Sequence, residues 1–181
     1  ESLFNTGTYR DDWKHLRSNW NLLKLPLILI MFQSVVFSFF WVAGPLLLDE
    51  IGAGYIMMGV IFGIIAIPNA FQYLFGRISD KHGYLRTIAW FSIILSPFLV
   101  AMGYFENIYI IGGLFLVVRL LSSALSPAIH SFFDKKAPDH IEGELIGSLQ
   151  LFKHTGQTLG PFLAGWVSSI WGVGSSFYFA A

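Results

Sequence analysis

Residues 25 to 48 read LPLILIMFQSVVFSFFWVAGPLLL, from Leu25 to Leu48, without one charged side chain. At 1.5 Å of rise per residue such a run makes a helix of roughly 36 Å, longer than the roughly 30 Å hydrocarbon core of a bilayer. Working outward from it, Tyr55 to Gly76 and Thr87 to Phe105 are equally free of charge. Asn107 to Phe133 and Leu145 to Gly172 hold only Arg119, His130, Lys153 and His154. These five blocks are 19 to 28 residues long, and a sixth apolar run starts near Ser175 and is cut at Ala181. The expected fold class is therefore an all-α membrane protein, with five complete transmembrane helices plus the start of a sixth. Because the first residue is Glu1 and the last block is short, the chain is expected to be a piece of a longer one.

Composition agrees. The chain is 55% apolar and 12% charged, with 18 phenylalanines, 18 glycines and a mean hydropathy of +0.62. A soluble domain of this size carries about twice that charged fraction. With no cysteine there is no disulfide framework or thiolate metal site, and a net charge of zero argues against nucleic-acid binding.

The basic residues sort by side. Arg10, Lys14, Arg17 and Lys24 precede span one, Arg77, Lys81 and Arg86 flank the turn between spans two and three, and Lys135 and Lys136 lie between four and five. The opposite turns, around Asp49-Glu50, Glu106 and Trp171 to Gly174, contain no lysine or arginine. By the positive-inside rule, residues 1–24 and the 2–3 and 4–5 loops are expected on the cytoplasmic side of the cell membrane. Within residues 1–24, Trp13, Leu16, Trp20 and Leu23 recur at helical spacing beside Lys14 and Arg17. That reads as a cytoplasmic connector carrying a short interfacial helix, and it lacks the layout of a signal peptide. Pro45, Pro68, Pro97, Pro127 and Pro161 fall inside the spans, where they kink helices; a moving bundle uses such kinks, and prolines are also common in membrane helices generally.

The 2–3 loop reads Gly76-Arg77-Ile78-Ser79-Asp80-Lys81-His82-Gly83-Tyr84-Leu85-Arg86. So short a turn asks for a residue able to take positive φ, which Gly83 supplies. Asp80 is of the type that caps a helix amino end, and Arg77 and Arg86 suit carboxylates or lipid phosphates. The loop resembles the signature of the major facilitator superfamily, Gly-x-x-x-Asp-basic-x-Gly-x-basic-basic, with Leu85 at a position usually basic. The resemblance continues. Gly156-Gln157-Thr158-Leu159-Gly160-Pro161-Phe162-Leu163-Ala164-Gly165 is similar to the family's Gly-x-x-x-Gly-Pro-x-x-Gly-Gly pattern, with Ala164 for one glycine. In it Gly156, Gly160, Pro161 and Gly165 serve either helix packing or transport. Arg119 resembles the buried arginine of the family's fourth helix, although Ser123 and Leu125 replace the glycines that follow it. The 4–5 loop, with Pro138 and Gly143, is similar to its counterpart except at Glu142.

The resemblance implies that residues 25–181 form one six-helix half of a twelve-helix transporter, its partner being the other half of the same protein, with substrate bound between them. It implies that Gly76, Arg77, Asp80, Lys81, Gly83 and Arg86 form a loop that stabilises closure of the cytoplasmic gate, with Asp134 as a candidate partner for Arg77 or Arg86. The polar lead-in points to the carboxy-terminal half, which is the half expected, against Arg119 and the glycine–proline stretch, which point to the amino-terminal half.

Two polar seams cross the apolar background. Arg119, Ser122, Ser123, Ser126 and His130 share one face of span four, and Gln150, Lys153, His154 and Gln157 share one face of span five. Ionisable groups cost roughly 2.5–3.5 kcal/mol each at the centre of a membrane helix on insertion scales, so both faces are expected to meet in an aqueous cavity. His130 and His154 read either as packed or interfacial histidines or as proton-relay groups.

The five complete spans contain no carboxylate, so this part of the chain offers a cavity net positive charge: either the small solute is anionic, or acids of the other half neutralise both residues and leave its charge open. The expected function is secondary active transport by alternating access, with no cofactor, no catalytic role and no metal site, the coupling ion (proton or sodium) being left open by this part of the chain. The rival is a non-transporting receptor or scaffold on the same fold, which would have no use for a buried Arg119.

Overall fold

The computed structural model describes residues 14–138 and 142–181; Trp13 and the rest of the connector before Lys14, with Asp139 to Ile141 of the 4–5 turn, lie outside the described residues. Span one is α1, Trp20–Glu50, a helix of 31 residues. It begins before the expected boundary at Leu25, because Trp20 to Lys24 continue the helix without interruption. Residues 14–18 are also helical, and Leu16 and Leu23 are buried in the core. Over its described part, the expected interfacial helix is residues 14–18, set off from α1 by a turn at Asn19, with Leu16 packed on the core. Its amphipathic spacing matches a packed seam as well as an interfacial one. α1 stops where Gly52 takes φ +79 and the Ala53 N–H turns back to the Leu48 carbonyl at 2.8 Å.

Span two is broken. α2, Tyr55–Ile64, gives way to a 3₁₀ stretch, Ile67–Phe71, and α3, Gln72–His82, completes the crossing. Pro68 is the cause: it has no N–H to give and its ring obstructs the carbonyl four residues back. α3 also runs past the expected end of the span at Gly76. The residues from Gly76 to His82 are helical, and the turn shrinks to Gly83, with φ +91 and ψ 134, before α4, Tyr84–Tyr104, begins.

α5, Ile108–Lys136, is span four, its amino end capped by the Asn107 side-chain oxygen accepting from the N–H groups of Tyr109 (3.0 Å) and Ile110 (3.3 Å). α6, Glu142–Trp171, is span five, and α7, Val173–Ala180, starts span six after Gly172 turns the chain at φ +86. Among the described residues four segments are long and apolar enough to cross a membrane: Trp20–Glu50, Tyr55–His82, Tyr84–Tyr104 and Ile108–Lys136. The expected fifth, 145–172, lies in α6, which has the length but is the least apolar of the long helices because Gln150, Lys153, His154 and Gln157 interrupt it.

α1 is the axis of the bundle. It lies along α6 over most of its length and crosses α5, while α7 fits among α1, α4 and α6. At the centre, Phe115 of α5 meets Phe40 edge-on at 4.7 Å between ring centroids, and a side chain on Gly44 would be pressed into the Phe115 ring. Outside, Phe162, Trp90 and Ile93 are 74%, 60% and 66% exposed, whereas Ser34, Ser38, Ser123 and Ser176 are buried. Small polar residues between helices and large apolar ones on the outer face are what a lipid solvent selects.

Candidate functional site

Arg119 sits on α5 facing the break in span two. Its Nη2 donates to Asn69 Oδ1 at 2.5 Å, and its guanidinium lies over the Phe37 ring, 4.8 Å from Cζ to centroid. Its Nε is buried without a hydrogen-bond partner. A second donor, Gln72 Nε2, reaches the same Asn69 oxygen at 3.3 Å.

Around this cluster is a cavity of about 190 Å³. The two seams do meet there: Arg119, Ser122, Ser123 and Ser126 line it from α5, and Lys153 and Gln157 line it from α6. α1 adds Ile30, Gln33, Ser34 and Phe37, and α3 adds Gln72. Among the described residues, its lining holds two cationic side chains and no carboxylate. Three expected members stand apart. His130 turns back to its own helix, with Nδ1 2.7 Å from the Ser126 carbonyl oxygen. Gln150 is half-buried away from the lining, and His154 is exposed, its Nδ1 2.9 Å from Gln157 Oε1.

Gln33, Phe37, Asn69 and Gln72 were not anticipated. Their signal was present, since Gln33 is the one amide in Leu25 to Leu48 and Asn69 and Gln72 are the amides of span two. Uncharged and isolated amides carry a weaker signal in an apolar span than an arginine does, and Phe37 is one of many apolar residues there. The proximity of Asn69 to Arg119 depends on the 3₁₀ break, which turns each residue by roughly 120° instead of 100°.

The signature residues form a different corner. Gly76 is helical, with its carbonyl accepting from Ser79 Oγ at 2.7 Å, and Arg77, Lys81 and Arg86 are exposed. Asp80 does not cap a helix amino end. It sits in the last turns of α3 and accepts a hydrogen bond from the Tyr84 hydroxyl at 3.1 Å, while α4 begins at Tyr84, after Gly83, with no side-chain cap. Across from it, Lys135 Nζ lies 5.5 Å from the Tyr84 ring centroid, next to exposed Asp134. The corner is thus joined to α5 through Tyr84 and Lys135.

The glycine stretch divides in two. Gly156 and Gly160 press on α1: a side chain at Gly156 would run into the Met31 carbonyl, and one at Gly160 would come within 2.9 Å of the Val35 carbonyl and overlap Ser38. Ser38 Oγ donates to the Gln157 carbonyl at 3.3 Å across the same seam. Pro161 and Gly165 are exposed, and nothing lies within 4 Å of a Cβ on Gly165. For the first pair, helix packing is the observed role.

Comparison with known proteins agrees with this architecture. The chain is 26% identical over 106 residues to the MFS-type transporter YuxJ of Bacillus subtilis, covering 59% of this chain and 27% of that protein. It is 25% identical over 146 residues to multidrug resistance protein MdtG of Klebsiella pneumoniae, covering 76% of this chain and 34% of the relative. The chain thus spans about a third or less of the length of these relatives. No solved structure matches it. The family model described as Major Facilitator Superfamily matches residues 26–181, from the second turn of α1 through α7. By that match, on an all-α bundle with an apolar exterior, the chain is a multi-pass integral membrane protein belonging to the Major Facilitator Superfamily.

Proposed function

We propose that this chain is the part of a secondary transporter that presents Arg119 and Lys153 to a small anionic solute, moved by alternating access against the other half of the same protein. One observation carries the reading: among the described residues, the cavity shared by α1, α3, α5 and α6 is lined by two cations and no carboxylate. An anion entering it exchanges hydration for charge-assisted hydrogen bonds, and a cation meets repulsion in a space of low dielectric. Hydroxyls of Ser122 and Ser126 and the amides of Gln33 and Gln157 supply the neutral hydrogen bonds that orient such a solute. Transport by the full-length protein is expected to fall at least tenfold in Arg119→Gln. Uptake or export of a neutral or cationic solute that is indifferent to this change would end the anionic reading.

The sidedness follows from the basic residues. Cysteines at Lys81 and Lys136 are expected to react with an impermeant maleimide only from the cytoplasm, and one at Glu106 only from outside. Labelling of Lys81 and Glu106 from the same side would overturn this topology.

A further inference from the structure

We infer that Asn69 is the positioning residue that sets the charge preference of the Arg119 site, and that the 3₁₀ break at Pro68 exists in this chain as the device that brings it there. The inference rests on the anionic reading above and adds to it the residue on which selectivity turns.

Arginine can only donate, so the Asn69 atom that meets Arg119 Nη2 must be its oxygen. The same oxygen accepts from Gln72 Nε2. Both acceptor positions of a carbonyl oxygen are thereby used, and the amide is held from two sides. Phe37 covers one face of the guanidinium, and its Nε is buried. Arg119 is therefore fixed in direction by one hydrogen bond, one ring and its own burial.

The chemistry of the partner matters more than the contact. A carboxylate at position 69 would take the same donors and neutralise the arginine, leaving Lys153 as the cavity's remaining net charge. The amide oxygen aligns the guanidinium but leaves its full positive charge to a solute. Asn69 is thus a neutral holder where a charged one would change what the cavity accepts. Its position depends on the break: Pro68 is buried at the start of the 3₁₀ turn, and the Asn69 N–H bonds to the Ala66 carbonyl at 3.2 Å in the tighter three-residue pattern.

The test uses purified full-length protein in detergent and three probes of one shape, benzoate, benzamide and benzylammonium, read as ligand-dependent shifts of the unfolding temperature. The wild type is expected to be stabilised by benzoate and not by the other two. Asn69→Ala is expected to weaken benzoate about tenfold, the scale of one hydrogen bond to a charged group. Asn69→Ser, which keeps an uncharged acceptor, should retain most of the affinity. Asn69→Asp should weaken benzoate further than Asn69→Ala does, because its carboxylate neutralises Arg119, and should gain no benzylammonium response while Lys153 remains. If Asn69→Asp binds benzoate as tightly as the wild type while Arg119→Gln abolishes the response, the role of Asn69 is overturned and the anionic reading stands. A wild type unmoved by benzoate, or a response that survives Arg119→Gln, removes the anionic reading and this inference with it. Should Asn69→Asp not fold, the Ala and Ser variants decide the matter: equal benzoate affinities in the two overturn the proposal.

Discussion

Gly156 and Gly160 on α6 and Gly59 and Gly63 on α2 have the same small-x-x-x-small spacing, and the fold treats the two pairs in opposite ways. The first pair is buried, and a methyl group on either would meet the backbone of α1. The second is exposed, with no heavy atom within 4 Å of where a Cβ would stand. Spacing permits close approach of two helices but does not say that a second helix is there. The partner's surface decides. α1 offers Ser34 and Ser38, small side chains that complete the seam, and the Ser38–Gln157 hydrogen bond runs across it.

The largest effects are expected where the comparison is sharpest. Gly160→Leu forces a branched side chain against the Val35 carbonyl and Ser38 and is expected to leave no folded protein in detergent. Gly156→Ala, which adds one methyl against the Met31 carbonyl, should destabilise by about 1–3 kcal/mol, the usual range for overpacking. Size-exclusion profiles and thermal unfolding measure both. A native unfolding temperature in Gly156→Ala would mean that α1 and α6 separate more readily than their contact implies. Gly83 sharpens the comparison from another direction. It resembles Gly59 in having open space around it, yet its φ of +91 and ψ of 134 belong to glycine alone. Gly83→Ala should cost about 1–3 kcal/mol through backbone strain rather than contact. An unchanged unfolding temperature there would show that the α3–α4 turn can relax to negative φ.

These contrasts also mark what could be read in the sequence. Apolar runs such as Leu25 to Leu48 announced their helices because lipid imposes length and composition on each span independently. Gly83 was legible because a short turn between two spans calls for a residue able to take positive φ. Arg119 and Lys153 were legible because charge in an apolar run demands an explanation. The break in span two was only half legible. Pro68 was noted as a kink, but that its 3₁₀ turn presents Asn69 to Arg119 is a matter of rotation between helices, which no single-helix pattern encodes. For the same reason His130 shared a face with Arg119 in sequence yet bonds only to its own helix: a face lined up over three turns need not lie along one cavity. Asp80 was assigned to a cap because the turn was expected to be longer; once α3 extends to His82, the carboxylate has left the position from which it could cap α4.

The smallest expected effect is the most informative about the rest of the protein. Gly59 lies within α2 with open space around it, so a methyl group there meets nothing and removes the conformational freedom that glycine contributes to the unfolded chain. Gly59→Ala should therefore stabilise by about 0.5–1 kcal/mol, the difference in helix propensity between the two residues. Gly63 is less suited to the test because it lies within two residues of the helix end, where a gain in propensity is partly lost to fraying. The measurement is thermal unfolding of the full-length protein carrying Gly59→Ala alone. A gain would establish that this face of span two remains uncovered, and the two glycine pairs would stand as true opposites. A loss of 1 kcal/mol or more would mean that another helix of the full-length protein closes on Gly59 as α1 closes on Gly156. In that event both pairs are packing seams, one within this bundle and one at its boundary.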